Sequence, residues 1–155
     1  MMLCGNPLPT SATIVRRELL IKNQGMSEDR ALIAVEDFDC WLRLAKANAR
    51  FRYVDKCLGN YWIGADAISN VSLKNIEAQH LLYSRHHADM HPEFKDSALA
   101  RHNYLLGTLY LRLNNPTAAL KYLLNASPLP NLKFLTKKWA YTAFSLLLII
   151  RNAMN

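Results

Sequence analysis

From Phe38 onward apolar residues recur at helical spacing. At about 100° per residue Phe38, Trp41, Leu42, Ala45 and Ala49 share one face, while Asp39, Arg43 and Lys46 lie off it. That pattern predicts a helix burying an aromatic stripe. Upstream, residues 11–15 (SATIV) have short strand character and residues 16–23 read as a short helix ending near Gly25. Pro7 and Pro9 remove two backbone donors and push the residues before them to extended geometry, so an irregular segment precedes both. Downstream, residues 51–54 (FRYV) alternate as a strand does, Asp55 and Lys56 turn the chain, and residues 57–63 form a second apolar run.

After Gly64 the strand character disappears. Residues 73–91, 95–113 and 116–125 read as helices, separated by Pro92, the turn at Asn114, Asn115 and Pro116, and the run Pro128, Leu129, Pro130. Within residues 100–131 the order Leu106, Gly107, Tyr110, Ala119, Leu123, Ala126, Pro130 is similar to a single tetratricopeptide unit, in which small residues let two antiparallel helices approach closely. One such unit cannot bury its face alone, so a helical hairpin packed on its neighbours is expected rather than a repeat array. Residues 139–150 (WAYTAFSLLLII) are flanked by Lys137, Lys138 and Arg151. Twelve residues fall short of the roughly 20 a spanning helix needs, and they suit a buried helix or an interfacial one with basic flanks.

Charge divides the chain. The 155 residues carry a net charge of +7 and are 51% hydrophobic, enough apolar content for a folded protein. Residues 1–96 hold twelve Lys/Arg and twelve Asp/Glu, whereas residues 97–155 contain no acidic side chain and seven cations. A basic tail favours an anionic partner. It lacks the interleaved aromatics and modules of nucleic-acid binders, so no nucleic acid is expected, and residues 133–151 are instead a candidate for an anionic membrane surface. Cys4, Cys40 and Cys57 are odd in number and lack C-x-x-C spacing, and residues 1–8 have neither the basic nor the apolar region of a signal peptide. Both observations lead to an expectation of reduced thiols and a cytoplasmic location, peripheral at the inner face of the membrane.

The candidate chemistry centres on residues 35–45, VEDFDCWLRLA. Carboxylates in a first helical turn are stabilised by free N–H groups and the positive end of the dipole, each effect worth about 0.3–1 kcal/mol. Asp39 with Arg43 forms an i,i+4 pair that adds a few tenths of a kcal/mol on a surface. These roles account for one or two of the three acids, while crowding Glu36, Asp37 and Asp39 together costs repulsion that a cap alone does not require. His80, His87 and His91 share one helical stripe with His86 beside them, but Pro92 ends that helix and no carboxylate joins the stripe, so a solvated histidine face is expected rather than a metal site.

The order NPLPTSATIVRREL followed by VEDFDCWLRLAKANARFRYVDKCLGNYW resembles the acceptor-side half of a family 2 glycosyltransferase with the GT-A fold. The match spans about residues 3–69, and what carries it is the acidic pair, the Trp-Leu-Arg-Leu face and the strand after it. The resemblance implies an α/β fold: a partial GT-A domain with an incomplete sheet over residues 1–69, followed by an all-α region over residues 70–155 with a tetratricopeptide-like hairpin at 100–131. It implies inverting sugar transfer from a nucleotide-sugar to a glycan or lipid-linked acceptor, with Asp37 as general base, Glu36 as supporting acid, and Trp62, Ser11 and Thr10 on the substrate. A divalent metal, Mg or Mn, is implied for such an enzyme, but outside Asp37-Phe38-Asp39, which belongs to the acidic motif itself, no Asp-x-Asp is present to hold it. The chain is therefore expected to be the C-terminal part of a longer enzyme, inactive alone. The alternative expectation is a non-enzymatic helical protein-interaction module built on residues 70–155.

Overall fold

A computed structural model describes residues 5–57, 59–60, 71–129 and 131–154. Its elements are a 3-10 turn Thr10–Ala12, helix α1 (Arg17–Lys22), a 3-10 turn Arg30–Leu32, α2 (Glu36–Lys46), α3 (Leu73–His87), α4 (Pro92–Arg112), α5 (Pro116–Leu124) and α6 (Leu132–Met154). The chain forms two compact units, residues 2–86 and 87–155.

Among the described residues there is no strand, which corrects the expected α/β fold with an incomplete sheet. Residues 11–15 do not extend as a strand. Pro9 fixes the backbone ahead of them, its carbonyl accepts from the Ala12 N–H at 3.0 Å and from the Thr13 hydroxyl at 2.7 Å, and the chain tightens into a 3-10 turn. Ile14 beyond it is exposed. Residues 51–54 keep an alternating pattern, yet Phe51, Tyr53 and Val54 are all exposed, so the segment has neither a buried face nor a ladder. Alternation marks a strand only where a second strand supplies the hydrogen bonds. The run 57–63 lies mostly outside the described residues.

In the first unit α2 organises the core. Cys40, Trp41 and Leu44 are fully buried, and Leu8, Val15, Leu19, Leu20 and Ala49 pack against them from the N-terminal segment, α1 and the end of α2. Two helices of this unit stop by the same device. At α1 the Gly25 N–H reaches the Leu20 carbonyl and the Gln24 N–H reaches Ile21, with Gln24 at φ 62°. At α2 the Ala49 N–H reaches Leu44 and the Asn48 N–H reaches Ala45, with Asn48 at φ 57°. Both are left-handed closures that satisfy the last helical carbonyls.

In the second unit α4, α5 and α6 pack on one another. Pro92 sits at the first turn of α4 and Pro116 at that of α5, where a missing N–H costs nothing. The Asn115 side chain caps α5 by accepting from the Ala118 N–H at 3.1 Å. The α4–α5 hairpin depends on Gly107. A Cβ there would lie 2.6 Å from Cγ and 2.9 Å from Cδ2 of Leu123, and 3.2 Å from the Ala119 carbonyl oxygen. Leu123 is fully buried. Gly107→Ala is expected to lower the stability of this unit by about 1 kcal/mol, an overpacking cost of about 1–3 kcal/mol being offset by about 1 kcal/mol of helix propensity. Urea unfolding of the single and double variants checks it: the same change made in Leu123→Ala should cost less than in wild type.

Candidate functional site

The first turn of α2 brings Asp37 against the N-terminal segment. Thr10 Oγ1 donates to Asp37 Oδ2 at 2.6 Å, and the Asn6 amide nitrogen lies 3.4 Å from each carboxylate oxygen, a long contact straddling both. On the other side Asp37 Oδ1 accepts from the Phe38 N–H at 2.6 Å. The partners come from residues 27 and 31 positions away in sequence.

Two contacts hold that segment in place. Asn6 Oδ1 accepts from the Leu8 N–H at 3.1 Å, forming a local turn. The Trp41 indole N–H donates to the Leu8 carbonyl at 3.0 Å, so the buried core residue of α2 also tethers the loop that carries Asn6 and Thr10. Ala34, at φ 73°, bends the backbone into α2 through a region unfavourable for alanine. Its cost is of the order of 1–2 kcal/mol, and strain of that kind gathers where a fold must aim a side chain.

The remaining expected residues divide. Glu36 opens α2, and its Oε2 is buried with no hydrogen-bond partner among the described residues. Ser11 shares the 3-10 turn with Thr10 and is exposed; it is Thr10 that reaches Asp37. Trp62, expected to stack on a sugar or base, lies outside the described residues. Among the described residues no group of three or more His, Cys, Asp or Glu side chains is arranged to hold a metal ion.

Asp39 differs from its expected place on a solvated face. It is buried, accepts from Arg43 Nε at 2.8 Å on Oδ2, and accepts from His86 Nε2 at 2.9 Å on Oδ1. Arg43 continues the network, donating from Nη1 to the Asn23 carbonyl and from Nη2 to the Gly25 carbonyl at 2.6 Å. The i,i+4 spacing revealed the Arg43 partner; His86, 47 residues away, carries no local signal. His86, expected beside a solvated histidine stripe, is instead engaged by the buried Asp39. Burial pushes the Asp39 carboxyl up, but the hydrogen bonds from His86 and Arg43 and their charges outweigh it and hold the group below its ordinary value of 3.8.

That shift fixes a pH dependence. Because the carboxyl binds its proton less readily in the fold than in the unfolded chain, its contribution is fully present above about pH 4 and is lost as pH falls through the lower folded value. Thermal unfolding followed between pH 7 and 2 should show the first unit losing stability in acid, and Asp39→Asn should flatten that decline.

Comparison with models of known protein families, with curated proteins and with solved structures found no match. Together with the helical fold, this overturns the resemblance to the acceptor-side half of a GT-A glycosyltransferase: the sheet on which such a site is built is absent from the described residues. What the structure does show is the Asp37 carboxylate with two polar side chains, Thr10 and Asn6, converging on it. No helix among the described residues is long and apolar enough to cross a membrane.

Proposed function

We propose that the chain serves sugar transfer, holding a hydroxyl of a glycan or lipid-linked acceptor for attack on a nucleotide-sugar, with Asp37 as the general base. The observation that carries this reading is the Thr10 hydroxyl donating to Asp37 Oδ2 at 2.6 Å with Asn6 spanning both oxygens. The Thr10 O–H stands in for an acceptor O–H, within the reach a general base needs. In the proposed step the acceptor oxygen forms a bond to the anomeric carbon as its proton passes to Oδ2. The bond from that carbon to the diphosphate oxygen breaks, and the nucleoside diphosphate departs with the electron pair. Asp37 then releases its proton to water. Glu36 contributes negative charge beside the base, and attack opposite the leaving group inverts the anomeric centre. In this reading the 155 residues bind the acceptor and do not turn over a donor by themselves.

NMR of the isotopically labelled chain tests acceptor capture, using a panel of free and lipid-linked oligosaccharides as the probe. The Asn6 side-chain amide, Thr10 and the Phe38 amide are expected to shift, and Asp37→Ala should abolish those shifts. A panel that moves none of these signals, or moves them equally in the variant, overturns the reading.

A further inference from the structure

Helix α6 is folded with its polarity reversed. The side chains it buries are Lys138 at 4% exposure, Thr142 at 4% and Ser145 at 0%. The two hydroxyls are satisfied within the helix, Thr142 donating to the Lys138 carbonyl at 2.9 Å and Ser145 to the Tyr141 carbonyl at 2.8 Å. The adjoining face is apolar and exposed: Trp139 is 56% exposed, Leu147 64% and Met154 81%, with Leu132, Leu146 and Ile150 on the same side. At 1.5 Å per residue this stripe runs about 34 Å, an extended surface rather than a pocket.

A row of cations borders the stripe. Lys133 and Arg151 are 18 residues apart, about five full helical turns, so they stand on one line with Lys137 next to it, and all three are exposed. Phe144 and Tyr141, on that same side of α6, line a cleft of about 370 Å³ with Tyr104, Thr108, Leu111 and Arg112 of α4. No acidic side chain occurs anywhere in residues 97–155 to oppose these cations.

We infer that α6 is a docking helix for an anionic phospholipid surface. It lies in the plane of the bilayer with Trp139, Leu146, Leu147 and Ile150 among the acyl chains and Lys133, Lys137 and Arg151 against the phosphates. A long apolar face carrying an aromatic residue, edged on one side by cations, is what an interfacial helix requires, and residues 97–155, with seven cations and no acid, supply the charge complement. The inference stands independently of the Asp37 site.

Flotation of the full chain with lipid vesicles tests it. Binding is expected to vesicles containing phosphatidylglycerol and not to pure phosphatidylcholine, and to weaken as salt is raised. Lys133→Gln, Lys137→Gln and Arg151→Gln together should reduce partitioning on the order of a hundredfold, at about fivefold per cation. Leu147→Glu should abolish it while circular dichroism stays unchanged. Trp139→Phe should remove a lipid-induced blue shift of tryptophan emission. Equal binding to neutral and anionic vesicles would overturn the inference, as would no binding to either. A dimer in sedimentation equilibrium that Leu147→Glu dissociates, with no vesicle binding, would assign the face to a second copy of the chain instead.

Discussion

Asp37→Asn is expected, on the proposed reading, to lower sugar transfer by a factor of about 10²–10⁴, the contribution of a positioned general base. The change is nearly isosteric, and the side-chain oxygen of Asn can still accept from Thr10 and from the Phe38 N–H, which the wild-type carboxylate engages at 2.6 Å each. The fold should survive. What disappears is the ability to take a proton, so kcat should fall with little change in KM, the pattern of an interaction made only in the transition state. Because the 155 residues do not turn over a donor by themselves, steady-state kinetics on the donor-binding assembly isolated with the chain from its own cells, across a panel of nucleotide-sugars, measures it. A variant retaining activity within threefold of wild type would place the base elsewhere.

Trp41→Ala is expected to cost about 3–5 kcal/mol of stability in the first unit, the usual range for emptying a tryptophan-sized volume in a core. Trp41 is 2% exposed and touches the cluster on which the N-terminal segment and α1 close. A loss of this size is a large share of the 5–15 kcal/mol available to a whole domain, so partial unfolding of residues 2–86 at room temperature is the expected result. Trp41→Phe separates the two duties of the side chain. It keeps most of the apolar volume but deletes the indole donor that holds the Leu8 carbonyl at 3.0 Å. Leaving that bond unmade should cost about 1 kcal/mol, while the Asn6 and Thr10 contacts to Asp37 loosen. Denaturant unfolding reads the first effect and acceptor titration the second. Weakened acceptor binding in a stably folded Trp41→Phe protein would be the signature of the tether.

Signals in the sequence are legible where the physics is local. The face of α2 was visible because Phe38, Trp41 and Leu42 follow the helical period, and all three are buried. Helix α1 was visible within a residue, and the α4–α5 hairpin from Gly107 and its two prolines. The strands failed for the opposite reason. Residues 11–15 and 51–54 have the right side chains, but pairing is a property of two segments, and Pro9 together with the Thr13 hydroxyl diverts the first into a 3-10 turn. Helix α6 extends well beyond the apolar run at 139–150, to Leu132–Met154, because Lys133, Lys137, Lys138 and Arg151 flanking that run fit a helix as well as leucine does. The burial of Asp39 could not be read from α2 alone, since the residue that draws it inward, His86, sits on α3. Convergence of Asn6 and Thr10 on Asp37 was likewise invisible to spacing, resting as it does on the bond from Trp41 to Leu8.

The close approach at Gly107 has an evolutionary consequence. With the Leu123 side chain lying where a Cβ on residue 107 would be, the two positions form a single unit of variation. A lineage that acquires a larger residue at 107 must first, or at once, accept a smaller one at 123, and the intermediate with only the first change passes through a less stable hairpin. Relatives of this chain should therefore show glycine at 107 wherever leucine stands at 123, with departures occurring in pairs.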